Sequence, residues 1–318
     1  MSFRQLLQNS PQILEFTQLC PGIAAGSPVP PNWESIAIQP LLIVVGVTGV
    51  GKSTTLDSLR SQGVDFTLLP NRRNLTDRLI IAQMQAAKGQ QPHSIDRLER
   101  LNYTRRYRKQ YPGGMAHILT QLWIDPAQTA TRLIFDGLRG ENEIRYAVQA
   151  LPQAKFVVLD APDEVRLLRL LHRQDPFDQL HKHSPSRVED TCLAISPWVD
   201  FASLGVPEAS SLFDADQEQL ILSLVHQGSV TVEELRAKLK IVVEERRNYD
   251  PVATIATLRQ LASERTLVID TTTHSPQQAA NLLLTFYADF LASCQLQPKL
   301  SPTLSHIHPI PNTERSTG

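Results

Sequence analysis

Residues Gly46, Val47, Thr48, Gly49, Val50, Gly51, Lys52 and Ser53 follow the pattern G-x-x-x-x-G-K-[ST]. These residue types at this spacing bind phosphate. The glycines let successive N–H groups converge on a phosphate chain, and the N-terminus of the following helix adds partial positive charge. Lys52 reaches the β- and γ-phosphates, Ser53 offers its hydroxyl to Mg²⁺, and Thr54 completes the loop at the helix start. The expected ligands are ATP and Mg²⁺.

A hydrated, octahedral Mg²⁺ also needs a carboxylate from a neighbouring strand. Leu133-Ile-Phe-Asp136 supplies one, with Asp136 at a strand tip. The plainer alternative is an aspartate that only caps the strand. Asp136 is followed by Gly137-Leu138-Arg139, so the Asp-Glu pair of ring-forming remodelling ATPases is missing. Neither N-K-x-D, for guanine, nor the transporter signature L-S-G-G-Q occurs. Phosphoryl transfer needs cations beyond Lys52, and arginine's planar fork pairs bidentately with phosphate. Position favours Arg72, just after the second strand, Arg139 in the acid loop, and Arg173. Arg73, Arg78 and Arg169 lie nearby and have less positional support.

Alternating elements must hold these residues. Leu41-Leu-Ile-Val-Val45 is an apolar, β-branched run of the kind buried on both faces of a parallel sheet, and 52–62 reads as the helix after the loop. Further strands are predicted at 65–69, 132–136, 155–160 and 265–270. Helices are predicted at 75–87, 95–110, 115–123, 141–151, 163–173 and from Ser275-Pro276 to about Ala292. The expected fold is α/β, a five-stranded parallel sheet flanked by helices, with ligands at the strands' C-terminal ends. Roughly ninety residues, 174–264, separate the fourth and fifth strands. They carry their own helix signals, among them the capping box Thr231-Val-Glu-Glu234 and the cap Asp250-Pro251. The expected organisation is 1–40, a helix over 1–20 and a proline-rich arm; 41–173, the nucleotide-binding core; 174–264, a lid-like helical insertion; 265–297, the last strand and helix; and 298–318, a disordered tail.

Composition limits the alternatives. The chain has 318 residues and a net charge of −1, so no global field draws it to nucleic acid or to a membrane surface. Cys20, Cys192 and Cys294 form no C-x-x-C, which fits a reducing cytoplasm, and no apolar run reaches the length of a membrane span. The segment Arg97 to Tyr111 interleaves bases with Tyr103, Tyr107 and Tyr111. It reads as a helix with one cationic face above packed tyrosines, and less well as a platform for an RNA end.

In order and spacing the chain resembles the nucleoside-monophosphate kinase group of P-loop proteins, which includes dephospho-coenzyme A kinases. It is most similar to predicted adenylate-kinase-like proteins of archaea, which carry D-G-[IL]-R where this chain has Asp136-Gly-Leu-Arg139. Leu159-Asp-Ala-Pro-Asp-Glu-Val-Arg166 is similar to their fourth strand and helix start. Arg169-Leu-Leu-His-Arg173-Gln-Asp-Pro176 resembles their lid entrance, and Leu267-Val-Ile-Asp270-Thr-Thr-Thr-His-Ser275 their closing strand and turn. Arg105 to Gly113 with Ala116 resembles their acceptor-side helices. The likeness spans 41–176 and 265–292. The chain departs from it in the long insertion, the N-terminal arm and the lack of D-G-F-P-R. The resemblance implies a kinase that passes the γ-phosphoryl group of Mg·ATP to a small acceptor. Lys52, Asp136, Arg139 and Arg173 would be catalytic, Arg72 and Arg139 would hold the acceptor, and Ser53 and Asp136 the metal. The rival expectation is a slow ATPase, a nucleotide-gated switch that holds a protein partner through the insertion. A subunit of an ATPase ring is the weakest fit.

Overall fold

The computed structural model describes residues 15–86, 97–172 and 200–296. Its centre is a parallel sheet. Strand β4 (Leu41–Val45) has all five side chains buried. It pairs with β7 (Leu133–Phe135) on one side and β8 (Ala154–Asp160) on the other, with Leu41 opposite both Leu133 and Ala154. Strands β5 (Thr67–Leu68) and β9 (Thr266–Asp270) complete the order β5-β7-β4-β8-β9. All four pairings are parallel. The five expected strands therefore form one sheet, a P-loop α/β fold, with the phosphate loop leaving its middle strand.

Alternate residues of β4 serve opposite faces, as the pleat requires. Leu42 and Val44 join one core with Leu56 and Leu59 of α1 (Lys52–Ser61) and Ala279, Ala280, Leu283 and Tyr287 of α11 (Pro276–Leu296). Leu41, Ile43 and Val45 join the other, with Ile144 and Ala147 of α6 (Glu141–Ala150) and Leu258 and Ala262 of α10 (Pro251–Ala262). Truncating one of the buried leucines or isoleucines among them to alanine costs on the order of 2–5 kcal/mol. The second face also takes α2 (Arg72–Leu75), its π-helical continuation Thr76–Ile81 and α3 (Ala82–Ala86), then α4 (Arg97–Gln110) and α5 (Gly114–Leu119).

The N-terminal arm is built differently from the expected helix and linker. Residues 1–14 lie outside the described residues. Beyond them, β1 (Thr17–Cys20), β2 (Ile23–Ala25), β3 (Glu34–Ser35) and β6 (Leu122–Ile124) form an antiparallel sheet of order β1-β2-β6-β3. Ile23 pairs with Ile124, and both are buried. The partner strand lies about a hundred residues away, so the short run Ile23-Ala-Ala25 has no local pattern that betrays it. Leu122–Ile124 likewise replaces the end of the helix expected over 115–123. Arg78, a candidate phosphate contact, instead donates to the backbone oxygens of Leu19 at 2.6 Å and Gln18 at 2.7 Å.

The stretch between the fourth and fifth strands holds α8 (Ala215–His226) and α9 (Val232–Asn248), each opened by a capping box, at Asp214 and Thr231. They build a third core on α7 (Asp163–Leu171), in which Leu167 and Leu170 meet Phe201, Ile221, Leu235, Leu239 and Val242. Helix α10, at the end of this stretch, packs with α6 and the sheet through Leu258 and Ala262. No helix among the described residues is long and apolar enough to cross a membrane.

Candidate active site

The loop between β4 and α1 turns on glycines. Gly51 has φ 96°, a left-handed conformation that starts α1, and Gly49 has φ 88°. A Cβ on Gly49 would stand 3.0 Å from the carbonyl oxygen of Arg166, so the loop lies directly against α7. Ser53 and Thr54 are exposed in the first turn of α1.

Lys52 folds back over the loop, and its Nζ donates to Gly46 O at 2.8 Å and Val47 O at 2.9 Å. Burial pushes its ammonium down to about pKa 7, and Arg139 adds to the shift. Glu245 and Asp136 oppose it. A lysine with that value sits at the border of charge and neutrality near pH 7.

A cleft of about 1150 Å³ opens over the loop. Thr48, Gly49, Gly51, Lys52, Ser53 and Thr54 line it together with Asp136 and Arg139 from the loop after β7. Arg72, Arg73 and Arg169 also reach it, against Asp57 and Asp136 as acids. Its net lining charge is positive, which favours anions. Helix α7 and the turn after β9 close one end, where Arg169 donates to Thr271 Oγ1 at 2.8 Å and Thr271 O at 2.7 Å. Arg173 lies outside the described residues.

Two glutamates that the sequence did not single out organise the arginines. Glu143, in the first turn of α6, takes Arg72 bidentately at 2.6 and 2.7 Å and accepts from Arg139 N at 3.0 Å. Burial pushes the Arg72 guanidinium down, but the Glu143 charge outweighs it and the net shift is upward. Arg72 also donates to Gly137 O at 2.9 Å, so it braces the acid loop from behind. Glu245, on α9, accepts from Arg139 Nη1 at 2.7 Å, Arg166 Nη2 at 2.6 Å and Thr48 N at 2.9 Å. Burial pushes its carboxyl up, while Arg139 and Arg166 prevail and hold it below the usual carboxylate range. By residue type, Glu143 reads as an acid at a helix N-terminus and Glu245 as part of the charged run Glu244-Glu-Arg-Arg247. Only the capping box of α9 hinted that this segment was well built.

The expected cationic segment also resolves. Tyr103, Tyr107 and Tyr111 are buried, and Tyr111 stacks on His117 with centroids 4.4 Å apart. The tyrosines are therefore packing groups and unavailable as a stacking platform.

A family model described as an AAA domain matches residues 42–185. That segment runs from β4 through α7 and contains the phosphate loop and the acid loop. No curated protein matches the chain. Among solved structures, an unliganded sugar kinase from Janibacter sp. is 16% identical, with 80% of this chain and 97% of that one covered and a TM-score of 0.32. A gluconokinase from Sinorhizobium meliloti is 12% identical, with 83% and 98% covered and a TM-score of 0.31. Overlap at that level says nothing of what this chain does.

Proposed function

We propose that this protein is a P-loop phosphotransferase that moves the γ-phosphoryl group of ATP to a small acceptor. One observation carries the reading: Lys52, Ser53, Asp136 and Arg139 line a single cationic cleft at the C-terminal ends of β4 and β7. Phosphoryl transfer is mostly positioning and charge stabilisation, and these are the groups it uses. Lys52 neutralises the β- and γ-phosphates. Arg139, with Arg173, meets the charge that spreads over the phosphoryl group as the bond to the β-phosphate oxygen breaks and the bond from the acceptor oxygen forms. When the acceptor is an alcohol, Asp136 takes its proton. In this reading Arg72 and Arg139 serve the acceptor, and each is restrained by a buried glutamate.

The donors fit Mg²⁺. Among the described residues no group of three or more His, Cys, Asp or Glu side chains could enclose a metal. One hydroxyl and one carboxylate, Ser53 and Asp136, suit an ion that keeps several waters and phosphate oxygens as ligands. Bound there, Mg²⁺ would offset phosphate charge.

A slow nucleotide-gated switch is the second reading, favoured by the direct contact between Glu245 of the insertion and Thr48 of the loop. Gly137, in place of a water-polarising glutamate after Asp136, speaks against fast hydrolysis and leaves slow hydrolysis open. Labelled ATP, offered with nucleotides, coenzyme precursors, sugars and RNA ends, separates the two. Transfer well above hydrolysis is expected. Hydrolysis with no transfer to any acceptor would put the switch first.

A further inference from the structure

We propose that Glu245 is a positioning residue of this site, supplied by the insertion to hold Arg139 and Thr48 in the geometry that phosphoryl transfer needs. The inference rests on the phosphotransferase reading. Glu245 is buried behind the phosphate loop and does not line the cleft, whereas Thr48 and Arg139 do. It therefore acts through them.

Both carboxylate oxygens are fully engaged. Oε1 accepts from Arg139 Nη1 at 2.7 Å and Thr48 Oγ1 at 2.5 Å; Oε2 accepts from Thr48 N at 2.9 Å and Arg166 Nη2 at 2.6 Å. Arg166, 1% exposed, also donates from Nε to Thr48 O at 2.8 Å. Thr48 is thus gripped at its amide, its hydroxyl and its carbonyl. Asp163 pairs with Arg166 and takes Arg246 Nε at 2.5 Å, which closes the network onto α9.

A network of this kind could merely pin the insertion to the core. That task is already done by packing, since Leu167 and Leu170 of α7 meet Leu235, Leu239 and Val242 of α9. Buried charges are costly and are a poor way to add anchorage. What this one adds is direction. An arginine free in a cleft samples many rotamers, while one held by a fixed carboxylate presents the rest of its guanidinium without reorganising.

The test uses Glu245→Gln, Arg139→Ala and the double variant in the full chain. The probes are a non-hydrolysable Mg·ATP analogue and Mg·ADP with aluminium fluoride, which imitates the phosphoryl group in flight. Affinities are read by calorimetry. Glu245→Gln is expected to leave the ATP analogue within about threefold and to weaken the aluminium fluoride complex at least about tenfold. The double variant should bind that complex no more than about threefold more weakly than Arg139→Ala, because the two residues act as a unit. Losses that multiply, or an unchanged aluminium fluoride complex in Glu245→Gln, would overturn the role. Should Glu245→Gln not fold, Glu245→Asp, which keeps the charge and shortens the reach, carries the same comparison and must show the same non-additive loss. No acceptor is needed, so a failed search for the acceptor leaves the result intact. A wild-type chain that binds neither probe would sink the phosphotransferase reading and this inference with it.

Discussion

The guanidinium of Arg72 and the carboxylate of Glu143 meet face to face across 71 residues of sequence, with both N–H···O contacts under 2.8 Å. The same carboxylate accepts the backbone N–H groups of Arg139 and Met115. One buried acid thereby ties the start of α2, the acid loop and the start of α5 into a single wall of the cleft.

Glu143→Ala removes that tie and leaves the partly buried Arg72 guanidinium without its partner carboxylate. The expected loss of stability is about 3–5 kcal/mol. Urea denaturation of the two proteins measures it. A loss below about 1 kcal/mol, the range of exposed pairs, would show the contact to be incidental.

Lys52 gives a pH signature. Its pKa is lowered to about 7 by burial, so much of it is neutral just above neutrality. Phosphate charge raises that value on binding, and nucleotide uptake must then take up a proton. Affinity for Mg·ATP is accordingly full below pH 7 and falls as pH rises above it. Calorimetry in buffers of different ionisation enthalpy detects the proton. Lys52→Ala should lose at least about tenfold in affinity together with the proton uptake. Unchanged affinity in a folded variant would remove the phosphate loop from the account.

Asp136→Asn keeps shape and removes charge. Activity is expected to collapse and to need far more Mg²⁺, while metal-free nucleotide binding survives. A Mg²⁺ titration of both forms is the check. Superimposable curves would reduce Asp136 to a strand cap.

His117 lies buried against Tyr111, its Nδ1 is 2.7 Å from the Tyr107 hydroxyl, and burial lowers it to about pKa 4. The unfolded chain binds this proton near pH 6.5, so the folded state gains from the neutral ring above that pH. The gain is lost as pH falls from 6.5 toward 4. Between pH 7 and 4.5 this one group should remove roughly 2–3 kcal/mol of stability. His117→Phe keeps a ring in the stack and cannot titrate, so it should lose less than the wild type over that interval in urea melts. Equal losses would assign the acid sensitivity elsewhere.

Helix α9 tests the lid idea. Its packing on α7 and its hold on Thr48 predict slow hydrogen exchange over residues 232–248 without any nucleotide. Fast exchange there, slowed only by ATP, would restore a lid that closes as one piece.

The sequence by itself determined what local chemistry can determine. Gly46 to Ser53 carry their function in residue type and spacing, because a phosphate cradle is one continuous turn of backbone. The central strand Leu41 to Val45 announced itself as an apolar run, since a strand buried on both faces has no polar side to show. Thr231 with Glu234 and Asp250 with Pro251 marked helix starts from residues at most three apart. The tertiary structure alone decided which side chains meet across distance. Glu245 stands 197 residues from Thr48, and its neighbour Glu244 is the same residue type on the solvent side of the same helix. One helical step separates a salt-exposed charge from the carboxylate behind the phosphate loop, and that choice depends on how α9 lies on α7. The pairing of Ile23 with Ile124, and of Arg72 with Glu143, is hidden for the same reason. Hydrogen bonds and ion pairs act over a few ångströms of space, whereas a sequence records only separation along the chain.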